Sequence, residues 1–233
     1  MLHILKPLDA SPIADVLKSP QASQTDAVKP PSTKMTWPVT KSDVYRAGWG
    51  RVTGIDIEAE SIVRAREIYP EISFEICPAE QSDRVGKETF DIVCCFNAFY
   101  AFPDQAAALF SFARAAKSGA RLAIFDYTDP GSFGTTPLAK HVELQRWSPL
   151  KLPGIGSLLD NAGWSLEVIR DVSTDYERWY KNFATRIHDL QPILVQECGI
   201  ETWEYAVKFY DTMYETVQSG NLGGAIVYAV KRG

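Results

Sequence analysis

The stretch RVTGIDIEAESIVRAREI, residues 51–68, decides the fold. Its first seven residues, RVTGIDI, form a short run rich in β-branched side chains, the length of a strand buried on both faces. Gly50 bounds this run on one side and the acidic turn at residues 58–60 on the other. From Ala59 the period changes, and Ile62, Ala65 and Ile68 recur on one face of a helix. A buried strand followed at once by an amphipathic helix is the first half of a βαβ unit.

The same alternation continues down the chain. ISFEI (72–76) alternates as a short strand, and FDIVCCF (90–96) is an apolar run of parallel-strand length. Pro103 and Asp104 open a helix in which Ala107, Phe110, Ala113 and then Ala116 or Lys117 recur at helical spacing. Gly119 stands where a helix of that length would close. RLAIFDY (121–127) is another buried strand. A helix near 156–162, a strand at 165–170, helical stretches at 175–190 and 201–218, and a last strand GGAIVYAV (223–230) follow. Strands alternating with helices predict an α/β domain built on a parallel sheet.

Residues 1–50 differ from the rest. They hold six of the 14 prolines and show little periodicity, so they predict an irregular arm ahead of a domain spanning 51–233. Residues 2–5, LHIL, could form a short strand, and residues 13–17 one helical turn. The formal net charge is −5, which gives no field for nucleic acid or an anionic membrane. The apolar runs fall well short of the roughly 20 residues that span a bilayer. The first residues lack a basic segment and a long apolar core, so no signal peptide is expected and a cytoplasmic location is. Cys77, Cys94, Cys95 and Cys198 show no CxxC pairing and no nearby histidine at ligand spacing. They read as structural thiols in a reducing compartment, with no metal site.

In an open parallel sheet, ligands bind beyond the carboxyl ends of the strands. Four such ends carry polar or special residues. Asp56 can accept hydrogen bonds from a ribose diol or, equally, match the positive end of the following helix. Pro78, Ala79 and Glu80 could present N–H groups and a carboxylate to an adenine edge, or form an ordinary turn. Asn97 is followed by aromatics up to Phe102. Asp126 and Tyr127 end the fourth strand, where a buried carboxylate is costly unless partnered.

VTGIDIEAESIVRARE, the strand and PAE turn, ETFDIVCCFNAFYAFPD and AAKSGARLAIFDY together resemble the core of class I S-adenosylmethionine-dependent methyltransferases, in order and spacing. The resemblance implies a Rossmann-like sheet, mostly parallel with an antiparallel C-terminal strand, and S-adenosylmethionine as cofactor. It implies that Asp56 holds the ribose hydroxyls, Ile57 packs on the adenine, Ala79 and Glu80 line the adenine pocket, and Asn97 lies near the methionine end. Family members usually carry an acidic residue where this chain has Pro78, so adenine recognition would rest on the Ala79 N–H or on Glu80.

The second half, from GSLLDNAGWSLEVIRD to LGGAIVYAVKR, is similar to the branch that methylates phosphoethanolamine, sarcosine or dimethylglycine. That similarity implies a helical insertion, about 172–219, covering the site. Trp147, Tyr176, Trp179 and Tyr180 could line it as an aromatic wall for an amine, since cations are drawn to ring faces, or could simply fill the core. Asp126 and Tyr127 match the pair that touches the substrate amine there. His141 is the candidate base because imidazole titrates near neutral pH; a lone histidine is as readily structural.

The resemblance breaks at its start. The family places a strand, a GxGxG loop and a helix ahead of the strand equivalent to 51–57, whereas this chain offers only SDVYRAGWG. Its first strand and helix are thus missing or replaced. Either the chain is a splice or gene-model variant of a working enzyme, or the arm at 1–50 supplies a substitute strand. Alternatively, the chain is an inactive binding or partner subunit, a homodimer or the companion of an intact paralogue.

Overall fold

The computed structural model describes residues 52–142 and 147–233. The expected arm strand at 2–5, the turn at 13–17 and the SDVYRAGWG segment ending at Gly50 all lie outside the described residues.

The described strands form two sheets. In the smaller, β1 (Thr53–Asp56) pairs in parallel with β2 (Ser73–Ile76), with α1 (Ala59–Ile68) between them in sequence. Gly54 is required in β1 because a Cβ there would lie 2.5 Å from the Phe74 ring. Phe74 packs with Ile62 and Ala65 of α1 as a small apolar cluster.

The larger sheet has the order β3-β4-β6-β5. Here β3 is Phe90–Phe96, β4 Ala116–Thr128, β5 Trp164–Asp171 and β6 Gly223–Lys231. β3 and β4 are parallel, and β6 runs antiparallel to both β4 and β5. The expected mostly parallel sheet with an antiparallel last strand is therefore present.

Alternation along the central strands builds two cores. Leu122 and Ile124 of β4, with Val227 and Ala229 of β6, face α2 (Gln105–Ala115) and α4 (Leu152–Asn161). On that side the Trp164 indole donates to the Leu109 carbonyl at 3.0 Å. Phe125 and Tyr127 of β4, with Ile226 of β6, face the other way. There they meet α5 (Ser173–Asp189), α6 (Gln191–Cys198) and α7 (Ile200–Gln218), three helices inserted between β5 and β6. The short α3 (Pro137–His141) packs against α7 on the same side.

One expected boundary is corrected. Asp104 does cap α2, accepting the Ala107 N–H at 2.9 Å, but the helix stops at Ala115. Ala116 already pairs with Phe90, so the chain enters β4 three residues before Gly119. Gly119 keeps a left-handed conformation (φ 74°) within that strand, where β4 departs from regular pairing with β3.

Candidate active site

β1 and β2 run in register, Asp56 opposite Ile76, and the Cys77 N–H donates to the Asp56 carbonyl at 2.8 Å. The two strand tips therefore lie side by side. Asp56 Oδ1 accepts the Glu58 N–H at 2.8 Å, and partial burial raises the carboxyl above its usual range. Ile57 beside it is 70% exposed, an apolar side chain open to a flat ligand. After β2, Pro78 leads into a 3₁₀ segment, Ala79–Val85, in which Ala79 is buried.

Glu80 ties this corner to the next strand end. Its Oε1 accepts the Asp104 N–H at 3.3 Å, at the start of α2 just beyond the β3 loop. Deeper in, Ser82 donates to Ser111 at 3.0 Å, and Ser111 donates to Asp83 at 3.0 Å. Arg114 closes on Asp83 at 2.8 Å and holds that carboxyl down to about 2.

At the end of β3, Asn97 takes a left-handed conformation (φ 41°), which Asn tolerates better than most residues. Its N–H is fixed to the Phe125 carbonyl at 2.7 Å, and its side-chain carbonyl accepts the hydroxyl of Tyr176 from α5. The loop beyond Asn97 is anchored by Asp126. One carboxyl oxygen accepts the N–H groups of Ala98, Phe99 and Tyr100 at 3.0, 2.7 and 3.3 Å. The other accepts the N–H of Tyr127 at 2.7 Å. Complete burial pushes Asp126 up to about 7 against the pull of these four donors. Expected to touch a substrate amine, Asp126 is here spent on backbone.

Tyr127 stands at the centre of an aromatic cluster. Its ring lies 5.0 Å from Tyr100, 5.4 Å from Trp147, 5.4 Å from Tyr176 and 6.4 Å from Tyr180. The Tyr127 and Tyr180 hydroxyls are hydrogen-bonded to each other. Burial raises Tyr100, Tyr127, Tyr176 and Tyr180, and Tyr210 is pushed up to about 12, so these hydroxyls stay neutral. The structure thus brings Trp147, Tyr176 and Tyr180 together with Tyr127. Trp179 stands at the edge of this cluster: it meets Tyr180 edge-on, stacks on Phe183 and is half-exposed.

His141 is apart. Its Nε2 lies 3.2 Å from the Tyr205 hydroxyl, and its ring packs on Tyr205 and Phe209, with Phe209 next to Trp147. Two residues escaped sequence reasoning. Tyr100 was visible only as one of the aromatics after Asn97, and Gly224 only as half of a glycine pair opening an apolar strand. No metal-holding cluster of His, Cys, Asp or Glu occurs among the described residues. Nor is any of their helices long and apolar enough to cross a membrane.

A sheet of this order with an antiparallel last strand is a fold that the chain shares with solved S-adenosylmethionine-dependent methyltransferases. Residues 43–153 match the family model described as a methyltransferase domain. Among solved structures, a phosphoethanolamine N-methyltransferase from Haemonchus contortus superposes with a TM-score of 0.72 at 15% identity. That match covers 82% of this chain and 46% of the Haemonchus one, so this chain spans under half of that protein. A cyclopropane synthase from Mycobacterium tuberculosis gives a TM-score of 0.70 at 13% identity, covering 82% and 74% of the two chains. A Galdieria sulphuraria protein described as a sarcosine dimethylglycine methyltransferase gives 0.69 at 14% identity, covering 78% and 69%. No curated protein matches at the level of sequence.

Proposed function

We propose that this chain transfers a methyl group from S-adenosylmethionine to a small molecule, and that the acceptor is an amine. One observation carries the reading. Asp56 and the Ala79–Glu80 turn share one strand-tip corner, which Glu80 joins, through the Asp104 N–H, to the start of α2 beyond the loop that carries Asn97. A half-buried carboxylate with one oxygen already engaged, beside an open apolar side chain, fits a ribose diol and an adenine face. In this reading Asp56, Ile57, Ala79 and Glu80 hold the nucleoside, and Asn97 lies toward the methionine end.

The cofactor, when bound, supplies an electrophilic methyl group, and the reaction then needs alignment and exclusion of water more than strong acid or base catalysis. Asn97, whose side-chain carbonyl is held by the Tyr176 hydroxyl, offers its amide NH₂ to orient the acceptor. Tyr127, Tyr176 and Tyr180 are buried in the core, so of this cluster Trp147, partly buried against them, is the ring that can turn a face to an amine, which reacts in its neutral form. Asp126 acts through the loop it anchors. His141, packed on Phe209 beside Trp147, is the candidate base in this reading.

Calorimetric titration with S-adenosylhomocysteine tests the reading. Wild-type protein is expected to bind it, and Asp56→Ala to bind at least about tenfold more weakly, as loss of a charged hydrogen bond implies. Absence of binding by the wild type at millimolar ligand would overturn the proposal.

A further inference from the structure

We infer that Gly224 is a positioning residue: its missing side chain is the seat that lets the Tyr176 ring settle low enough for its hydroxyl to reach Asn97. The inference rests on the methyl-transfer reading for its functional meaning, although the seat itself is a matter of packing.

Gly224 is the second residue of β6, directly opposite Tyr127 of β4 in the pairing register. A Cβ at this position would overlap the edge of the Tyr176 ring and come within 3.0 Å of its Cγ. These atoms belong to the body of the ring rather than to a flexible end. The ring has no room to yield, because it packs against Phe125 at 5.2 Å, Tyr127 at 5.4 Å and Tyr180 at 6.0 Å.

The backbone around Tyr176 is fixed by the same glycine. The Val172 N–H donates to the Gly224 carbonyl at 2.9 Å, and the Tyr176 N–H donates to the Val172 carbonyl at 3.0 Å. The Gly224 N–H donates to the Ser173 hydroxyl at 3.2 Å. Neighbouring Gly223 makes the matching space for Ser173, since a Cβ there would fall 2.6 Å from that hydroxyl and 2.7 Å from Thr128 Oγ1. The first turn of α5 is thus pinned to the glycine pair. Tyr176 can reach the end of β3 only with its ring lying flat over bare backbone. Any side chain at 224 lifts the ring and withdraws the hydroxyl from Asn97, changing the wall that an acceptor meets without touching the nucleoside corner.

The test compares wild type, Gly224→Ala, Tyr176→Phe, the double variant Gly224→Ala/Tyr176→Phe and the pair Tyr176→Ala with Gly224→Ala/Tyr176→Ala. Thermal unfolding reads the seat. Gly224→Ala is expected to lower Tm by about 5 °C or more in the wild-type background, as overpacking does, and by less than half of that in the Tyr176→Ala background. Equal shifts in both backgrounds would overturn the seat, whatever the chain catalyses. Should Tyr176→Ala not fold, Tyr176→Leu replaces it in the cycle.

Turnover reads the function, with sarcosine and phosphoethanolamine as acceptors and S-adenosylhomocysteine release as signal. Gly224→Ala and Tyr176→Phe should each change kcat or acceptor KM about tenfold, with a smaller loss of S-adenosylhomocysteine affinity, because Asn97 lies toward the methionine end while Asp56, Ile57 and Ala79 are undisturbed. The Gly224→Ala/Tyr176→Phe variant should be no worse than Gly224→Ala alone. Additive losses, or a fall in S-adenosylhomocysteine affinity as large as the fall in turnover, would overturn the positioning role. Failure of the wild type to bind S-adenosylhomocysteine would instead sink the methyl-transfer reading and leave the Tm cycle to decide the seat.

Discussion

Replacing Asp126 by Asn should flatten the dependence of stability on pH. The Asp126 carboxyl is fully buried, and its folded value of about 7 lies well above the ordinary 3.8. Between those values the folded chain holds a proton that the unfolded chain has released. Stability contributed by this group is therefore fully present below about pH 4 and is lost as pH rises toward 7. The gap corresponds to about 4 kcal/mol, of which roughly 2–3 kcal/mol falls between pH 5 and pH 8. Asn cannot ionise, so the variant lacks that slope. It has its own cost: its amide carbonyl can serve the three N–H groups of Ala98, Phe99 and Tyr100, which turns its NH₂ group toward the Tyr127 N–H. One donor left facing another should cost about 1–3 kcal/mol at acid pH. Urea unfolding at pH 5, 6.5 and 8 measures both effects. Wild type should lose stability steadily over this range and the variant markedly less, so that the two curves converge toward pH 8. Parallel curves would refute the reasoning, because they would mean that Asp126 carries the same charge folded and unfolded across the range.

Two further outcomes follow from packing. Gly54→Ala should destabilise the small sheet by about 1–3 kcal/mol through collision with the Phe74 ring, read as faster amide exchange in β1 and β2 with β4 and β6 unchanged. Trp164→Phe should cost about 2–3 kcal/mol in urea unfolding, since it leaves a void and removes the donor to the Leu109 carbonyl.

The fold was legible where local signals agreed with tertiary pairing. The spacing of Ile62, Ala65 and Ile68 predicts a helix whose observed limits are Ala59 and Ile68; Ile62 and Ala65 are buried as that spacing implies, while Ile68 at its end is exposed. The end of α2 was not legible. Gly119 resembles a helix stop, but pairing of Ala116 with Phe90 and the Lys117–Asp91 ion pair at 2.8 Å draw the chain into β4 earlier. Long-range pairing outweighed a local cap. The same division runs through the candidate site. Asp56 and Ala79 sit at the tips of neighbouring strands, and strand tips can be read from apolar runs. The bond between Tyr176 and Asn97 joins residues 79 positions apart, and nothing in the local pattern of either announces the other. The anchoring role of Asp126 was hidden for a related reason, since its partners are backbone N–H groups that every sequence supplies.

The division of the sheet bears on how a ligand and this scaffold would influence each other. Among the described residues, the corner holding Asp56 stands on a two-stranded ribbon whose own apolar cluster has only Ile62, Ala65 and Phe74 fully inside it, while the Asn97 end stands on a four-stranded slab lined by aromatics on one side and α2 and α4 on the other. A two-stranded unit is marginal by itself. Any molecule bridging the two ends would act as mortar between a light wall and a heavy one, and the free energy of its capture would be partly consumed in steadying the lighter masonry.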